Sequence, residues 1–270
     1  MTDKLSTAQR DIVYLAACAL NGEVPDKQKI CETNLTSLYH LAKRHSMSAI
    51  IYMALDSAKI LDTDNDLKKL WSESMYKAIR NSILLDAELF QLGTLIAKNK
   101  IWYMPLKGSV LKHYYPKLGM REMSDCDILF DSKHREVVRR IMQSRGYICN
   151  SYGKGSHDVY LKPPVCIFEM HISLFQQSHR KAFVEYYERV EERLIQDADN
   201  PYLRRLSDED FYIYLIAHAS KHFDMAGTGV RILMDVFVYN RAKEMLSTGN
   251  ILARYFQSLK LPNLRQTCSY

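Results

Sequence analysis

The stretch of residues 107–130 constrains this chain most, because it joins a Gly-Ser turn to a pair of acids ahead of an apolar run. Residues 101–104, just before it, form a short aromatic and aliphatic run that is typical of a buried strand. Pro105 disfavours an internal helix at this point, because proline lacks the backbone N–H that a helix interior uses. The pattern therefore predicts a strand that leads into Gly108 and Ser109, where a helix begins.

Asp125 and Asp127 lie on either side of Cys126 and open the apolar run of residues 128–130. Side chains alternate along a strand, so the two carboxylates are predicted to share one face of it. Two like charges this close repel each other unless a cation lies between them, and their oxygen ligands suit Mg²⁺. We expect water and a substrate phosphate to complete the coordination of such an ion.

Gly108, Ser109 and Glu169 add the other groups that a phosphate site needs. Gly108 lets a phosphate approach the backbone, while the Ser109 hydroxyl and the free N–H groups of the following helix would hold its oxygens. Glu169 lies on the apolar run of residues 166–171, which is another predicted strand, and supplies a third carboxylate. Together these residues predict a site for a metal ion and a phosphate.

In this order, the turn, the acid pair and the downstream acid resemble the signature of the nucleotidyltransferase superfamily related to DNA polymerase beta. More narrowly, the chain resembles the branch described as uncharacterised nucleotidyltransferase, which has no firmly assigned substrate. The gap between Ser109 and Asp125 is longer than in the commonest form of the superfamily signature, though it suits this branch. The residues that carry the resemblance lie near the middle of the chain and are Leu106-Lys107-Gly108, Arg121, residues 124–129 and Glu169-Met170-His171.

The resemblance implies an α+β fold, in which a small mixed β-sheet nucleotidyltransferase core is flanked by N-terminal and C-terminal helical regions. The spacing of the apolar residues agrees with this fold, because it has the period of a helix before residue 101 and again beyond residue 171. We expect an N-terminal helical region at 1–100, the core with its catalytic sheet at 101–175 and a C-terminal helical region at 176–270. The predicted strands cover residues 101–104, 126–130, 147–149, 157–161 and 166–170.

The longest predicted helix covers residues 66–99, with Asp64 or Asn65 as its N-terminal cap. We interpret the N-terminal helices as packing support for the core rather than as a direct part of the catalytic site. One buried face of the long helix is predicted from its apolar residues Leu70, Met75, Ile79, Ile83, Leu84, Leu89, Leu92 and Ile96.

Two C-terminal segments allow two interpretations each. His218 and His222 lie four positions apart on a predicted helix, and so do Arg231 and Asp235 on the next one. Core histidines and an intrahelical ion pair explain them as well as contacts to a nucleotide do. We leave both interpretations open.

The composition limits the classes of partner. A net charge of +6 and a pI near 8.9 suit a site that handles phosphate, but they do not by themselves indicate nucleic-acid binding. Because the chain has no basic tail or basic tract interleaved with aromatic residues, a solvated basic surface is favoured over a polynucleotide groove. The six cysteines lack Cys-x-x-Cys spacing and are interpreted as reduced core thiols. With no signal pattern and no apolar run of membrane-spanning length, we expect no membrane association and a cytoplasmic location.

The resemblance implies a metal-dependent nucleotidyltransferase that moves a nucleoside monophosphate from a nucleoside triphosphate, with ATP among the candidates, to an unidentified hydroxyl acceptor. Pyrophosphate is released. Two Mg²⁺ or Mn²⁺ ions would be held by the catalytic carboxylates of Asp125, Asp127 and Glu169. A small-molecule acceptor is favoured over a macromolecule. The predicted nucleotide-binding residues are Lys107, Gly108, Ser109, Arg121 and His171.

The same residues are compatible with two other functions. One is a catalytically silent nucleotide-binding or protein-interaction module, which the presence of all three acids disfavours. The other is a toxin-like nucleotidyltransferase that acts on a protein or tRNA. An open basic surface would favour a macromolecular acceptor, and a deep pocket would favour a small molecule.

Overall fold

The fold combines a mixed sheet with helices that precede and follow it in the sequence. A computed structural model describes residues 6–62, 64–176, 178–226 and 229–243, without the side chains of residues 222–226. Over these residues the predicted α+β class is confirmed.

In the part of the chain that is described, four α-helices precede the sheet, and side-chain caps set the start of three of them. They are α1 (Thr7–Asn21), α2 (Leu35–Arg44), α3 (Ser48–Ser57) and α4 (Asn65–Lys98). At α1, Ser6 and Gln9 form a reciprocal capping box. Asn34 caps α2, and Asp64 caps α4 by accepting a hydrogen bond from the Leu67 backbone N–H. Asp64 is one of the two caps that the sequence predicts.

Helix α4 does not have the single buried face that was predicted. Trp71, near its start, packs with residues of α1–α3, whereas Leu92 and Ile96, near its end, pack with residues of the sheet. Leu70 and Ile83, which the prediction placed on the buried face, are 39% and 52% exposed. The physical reason is that the two halves of this 34-residue helix contact different partners, so one stripe of side chains does not serve both.

The five-stranded sheet confirms every predicted strand, with small shifts at the strand ends. Its strands are β1 (Tyr103–Pro105), β2 (Cys126–Phe130), β3 (Ile148–Ser151), β4 (His157–Lys162) and β5 (Cys166–His171). Their order in the sheet is β1-β2-β5-β4-β3. Strands β2 and β5 pair in parallel, and the other neighbours are antiparallel.

The remaining elements connect the strands and follow the sheet. The helix predicted to begin at Gly108 is short: its α-helical part ends at Leu111, and a 3₁₀ turn follows over Lys112–Tyr114. The remaining helices are α5 (Gly108–Leu111), α6 (Arg135–Ser144), α7 (Lys181–Tyr187), α8 (Asp208–Ala226) and α9 (Val230–Lys243). A two-stranded ribbon consists of β6 (Ile195–Gln196) and β7 (Arg204–Arg205).

Alternation along β2 directs its side chains to two hydrophobic clusters. Ile128 packs with residues of α4 and α6, whereas Leu129 packs with residues of α8. Asp127 shares the Leu129 face, because side chains two positions apart point to the same side of a strand. Asp127 therefore faces the C-terminal helices.

Hydrophobic packing links the three regions predicted from the sequence. Met234 and Val238 of α9 pack with residues of α1–α3, and Tyr239 of α9 shares a second hydrophobic cluster with Met104 of β1 and Leu129 of β2. The boundaries at residues 100 and 175 stay predictions.

None of the described helices is both long and apolar enough to cross a membrane. The predicted cytoplasmic location stays a prediction. Cys268 and the rest of the C-terminal end lie outside the described residues. Free thiols are found at Cys18, Cys31, Cys126, Cys149 and Cys166.

Candidate active site

Most of the predicted site residues line a cavity of about 450 Å³. The sheet and the segments before β2 contribute Lys107, Gly108, Arg121, Asp125, Asp127, Glu169 and His171. Helix α8 and the region of α9 contribute Tyr214, His218, Lys221, Arg231 and Asp235. The end of α2 and the turn after it contribute Arg44, His45 and Ser46.

The parallel pairing of β2 and β5 places Asp127 directly beside Glu169. Neighbouring strands lie about 4.8 Å apart, so the two residues are close enough for their carboxylates to share a cation. Asp125 immediately precedes β2 and lines the same cavity. The fold therefore brings the three predicted carboxylates to one cavity.

The carboxylate of Asp127 is buried and held by two donors. Its Oδ1 accepts hydrogen bonds from Lys107 Nζ at 2.6 Å and from His171 Nε2 at 2.8 Å. Burial alone would raise the pKa of Asp127, but the hydrogen bond from His171 and the charge of Lys107 outweigh burial and hold that pKa well below its usual range. Asp127 is therefore an oriented anion at neutral pH.

The carboxyl group of Asp125 has the opposite shift. Burial raises the pKa of Asp125, and the negative charges of Asp127 and Glu169 raise it further. A divalent cation bound here would relieve this repulsion. Converging carboxylate oxygens are the donor set that Mg²⁺ and Mn²⁺ prefer, so the residues fit the implied metal.

The two imidazoles beside these acids also have opposite shifts. Burial lowers the pKa of His171, but its hydrogen bonds to Asp127 and Glu169 outweigh burial and raise it. Burial lowers the pKa of His157, and the neighbouring His171 lowers it further. His157 is therefore neutral at pH 7, whereas His171 holds its proton more tightly.

Lys107 combines an ion pair with an unusual backbone. Its φ of 46° and ψ of −117° lie in a region that non-glycine residues rarely adopt. Such a conformation costs about 1–3 kcal/mol and persists where surrounding contacts hold it. The 2.6 Å ion pair between Lys107 Nζ and Asp127 is one such contact. Lys107 thus provides a fixed positive charge at the acids.

Arg121, a predicted nucleotide-binding residue, is anchored to α9. Its Nε and Nη2 donate hydrogen bonds to the two carboxylate oxygens of Asp235 at 2.8 and 2.9 Å, and the Tyr115 hydroxyl donates to the same carboxylate at 2.8 Å. Asp235 is therefore paired with Arg121 rather than with Arg231, the intrahelical partner considered from the sequence. The remaining guanidinium nitrogen, Nη1, contacts Met123 Sδ at 3.0 Å, which is a weak acceptor.

Ser109 is placed differently from the other predicted nucleotide-binding residues. Its side chain is buried, and its hydroxyl oxygen lies 3.0 Å from Cys126 Sγ instead of lining the cavity. A contact between this hydroxyl and a phosphate therefore requires the side chain to rotate away from Cys126. Of the two histidines on α8, His218 lines the cavity, and the side chain of His222 lies outside the described part of the chain.

Sequence reasoning missed several basic residues of the cavity wall, among them Arg44, Lys221 and His157. Burial lowers the pKa of Lys221, and the positive charge of Lys107 lowers it further. A signal for His157 was present, because the predicted strands 157–161 and 166–170 are close enough in sequence to form a hairpin, and their pairing sets His157 opposite His171. Arg44 and Lys221 reach the cavity through tertiary packing, and no local pattern marks them.

Acids at the start of one strand, beside a third acid on its parallel neighbour, form the kind of site that a nucleotidyltransferase uses. The sequence model of the family described as "Uncharacterised nucleotidyltransferase" matches residues 32–263. The chain therefore belongs to this family of nucleotidyltransferases, which confirms the resemblance carried by its central motifs. A comparison with curated proteins gave no match.

Three solved structures resemble the fold at low sequence identity. The antibiotic-resistance factor ANT(2'')-Ia is 8% identical, with 63% of this chain and 89% of that chain covered and a TM-score of 0.45. The lincosamide antibiotic adenylyltransferase LnuA, solved with lincomycin bound, is 18% identical, with coverages of 56% and 94% and a TM-score of 0.39. An antigenic nucleotidyltransferase-like protein from Paracoccidioides brasiliensis is 13% identical, with coverages of 67% and 92% and a TM-score of 0.39. At these identities the likeness concerns the fold alone.

Proposed function

We propose that this chain is a metal-dependent enzyme that transfers a nucleoside monophosphate from a nucleoside triphosphate to a hydroxyl group of an acceptor. The observation that supports this best is the pairing of Asp127 with Glu169 across β2 and β5, in a cavity that Asp125 also lines. Acids that converge opposite lysine and arginine side chains suit a triphosphate bound together with divalent cations.

Each group of residues has a role in this proposal. Asp125, Asp127 and Glu169 would hold the divalent ions, which supply the charge that binds the triphosphate and stabilises the departing pyrophosphate. Lys107 and Arg121 add fixed positive charge on the cavity wall. Arg121 can donate a hydrogen bond from Nη1 to a phosphate while Nε and Nη2 remain bonded to Asp235 on α9.

In the proposed reaction, the acceptor oxygen forms a bond to the α-phosphorus of the donor. The bond between that phosphorus and the bridging oxygen breaks, and pyrophosphate leaves with the electron pair. We assign the proton of the acceptor hydroxyl to the carboxylate of Glu169, whose side chain is 26% exposed and therefore reachable from the cavity.

The acceptor in this proposal is a small molecule. A second groove of about 490 Å³ adjoins the cavity, since Ser156 and Leu174 line both. Phe175 and Tyr187 give the groove aromatic surface, which suits a compact organic compound. Its described lining contains the acidic Glu188 and no lysine or arginine, a poor match for the phosphates of tRNA.

The donor is tested by binding each of the four nucleoside triphosphates to the full chain with Mg²⁺, with Mn²⁺ and without metal. We expect at least one of them to bind in a metal-dependent way, because the acids repel an unaccompanied triphosphate. If no nucleoside triphosphate binds in the presence of metal, the proposal is wrong.

The acceptor is tested with a donor labelled on its α-phosphate, incubated separately with the small-molecule and macromolecular fractions of a cell extract. Label on a small compound, together with pyrophosphate release, is the expected result. Label on protein or tRNA would instead support the toxin-like alternative. Donor binding without any transfer would support the silent module.

Gly108→Ala is expected to lower turnover by about tenfold or more, as small displacements of positioning groups do. A Cβ at residue 108 would clash with Arg121 Nη1 and would lie 2.9 Å from Met123 Sδ. Because Asp235 clamps the guanidinium group, the arginine cannot yield without losing that ion pair. The measurement is kcat and KM for the donor found above.

The matched control for Gly108→Ala is Gly146→Ala. At Gly146 a Cβ would meet no atom within 4 Å, but φ is 79°, so alanine there costs about 1 kcal/mol of stability without touching the cavity. Turnover should be normal in this control. If Gly108→Ala also has normal turnover, the reaction does not depend on the absence of a Cβ at residue 108.

A further inference from the structure

Two imidazoles flank Glu169 in a way that the acid motif does not require. The antiparallel register of β4 and β5 pairs His157 with His171, and their ring centroids lie 4.9 Å apart. Glu169, two residues before His171 on β5, shares its face of the strand. One ligand atom from each of the three side chains lies within 4.8 Å of the others.

The distances among these atoms are slightly longer than the spacing of ligands around one ion. Glu169 Oε2 lies 3.8 Å from His157 Nε2 and 3.5 Å from His171 Nε2. The longer distance exceeds that of a hydrogen bond. Ligands about 2.1 Å from a metal are separated by about 3.0 Å at right angles and about 3.4 Å in a tetrahedron. A small closing movement therefore turns the observed arrangement into a coordination shell.

Two of the three side chains are partly exposed to the cavity, and the third, His171, would exchange its hydrogen bond to Asp127 for the ion. All of them line the cavity, and the side chains of His157 and Glu169 are 31% and 26% exposed. Asp127 is already paired with Lys107, whereas the recorded ion-pair contacts of Glu169 are to the two imidazoles.

The second ring nitrogen of His171 has no partner that would resist a change of tautomer. His171 Nδ1 is buried and makes no hydrogen bond. Without an ion, Nε2–H donates to Asp127. An ion held by Nε2 would replace this hydrogen bond, and Nδ1 would then carry the ring proton.

We propose that His157, Glu169 and His171 form a binding site for a divalent transition-metal ion such as Mn²⁺ or Zn²⁺. Imidazole nitrogen suits these ions, whereas Mg²⁺ prefers oxygen ligands and keeps its water. The role of the ion rests on the proposed function, in which Glu169 serves the acceptor side. The presence of the ion does not rest on the proposed function, because its binding can be tested without a nucleotide.

The test measures the binding of Mn²⁺, Zn²⁺ and Mg²⁺ to the metal-stripped full chain by calorimetry, in the absence of nucleotide. The wild type is expected to bind Mn²⁺ and Zn²⁺ at least about tenfold more tightly than Mg²⁺. His157→Gln should weaken the binding of both transition metals by at least about tenfold and leave Mg²⁺ binding unchanged. His113→Gln, which changes an exposed histidine in the 3₁₀ turn after α5, is the matched control and should bind like the wild type.

A second readout does not depend on any variant. Pulsed electron paramagnetic resonance of bound Mn²⁺ in the wild type should show coupling to imidazole nitrogen. Absence of nitrogen coupling, or equal transition-metal affinity in wild type and His157→Gln, would overturn the proposal. Failure of nucleotide turnover would leave this result standing, so the two proposals fail separately.

Discussion

Asp127→Asn is expected to lower turnover by at least about a thousandfold, because a metal-bound anion supplies several kcal/mol of transition-state stabilisation. The substitution keeps the size of the side chain and removes its charge. Asparagine can still accept hydrogen bonds from Lys107 and His171 through its amide oxygen, so the fold should persist. The loss should therefore appear in kcat and in metal-dependent donor binding.

The matched control for this variant is Asp131→Asn. Asp131 directly follows β2, and its side chain accepts a hydrogen bond from the Lys133 backbone N–H, a role that asparagine also fulfils. The control makes the same chemical change on the same segment, outside the described cavity lining. It should retain full turnover. Full turnover in Asp127→Asn, with an intact circular dichroism spectrum in both variants, would refute the catalytic role of Asp127.

Arg121→Leu is expected to reduce the free energy of unfolding by about 3–5 kcal/mol, the typical effect of removing one partner of a buried ion pair. The side chains of Arg121 and Asp235 are only 9% and 8% exposed, and two hydrogen bonds join them. Leucine would leave the Asp235 carboxylate buried, with the Tyr115 hydroxyl as its remaining donor among the described residues. Denaturant unfolding followed by circular dichroism measures the loss.

The double variant Arg121→Leu/Asp235→Leu separates the ion pair from simple packing. Replacing both charges with apolar groups removes the uncompensated anion, so the double variant should be more stable than Arg121→Leu alone. Lys181→Ala, which breaks the exposed pair with Glu185 on α7, is the surface control and should change stability little. If Arg121→Leu unfolds at the same denaturant concentration as the wild type, the pair does not anchor α9 to the segment before β2.

The strands were predictable from the sequence, because each depends on a short run of neighbours. The run of residues 126–130 forms β2 as expected, and the apolar run that carries Glu169 forms β5. The order of Gly108, the acid pair and Glu169 also predicted the family, which the match over residues 32–263 confirms. These signals come from side-chain type and spacing within a few residues.

The helices show which features could not be predicted from the sequence. The length and cap of α4 followed from local pattern, but its buried side chains did not, because Trp71 and Leu92 pack against different partners. Ser109 illustrates the same limit within the site. The turn around it was predicted, whereas the direction of its hydroxyl depends on Cys126, seventeen positions later.

The sequence by itself determined the identity and local spacing of the reactive groups, since strand alternation follows from backbone geometry. Only the tertiary structure decided that β2 pairs in parallel with β5, which sets Asp127 beside Glu169. It also decided that Arg121 binds Asp235, 114 positions away, and that Lys221 reaches the same cavity. Such contacts depend on how the whole chain buries its apolar surface, and that free energy is not contained in any short segment.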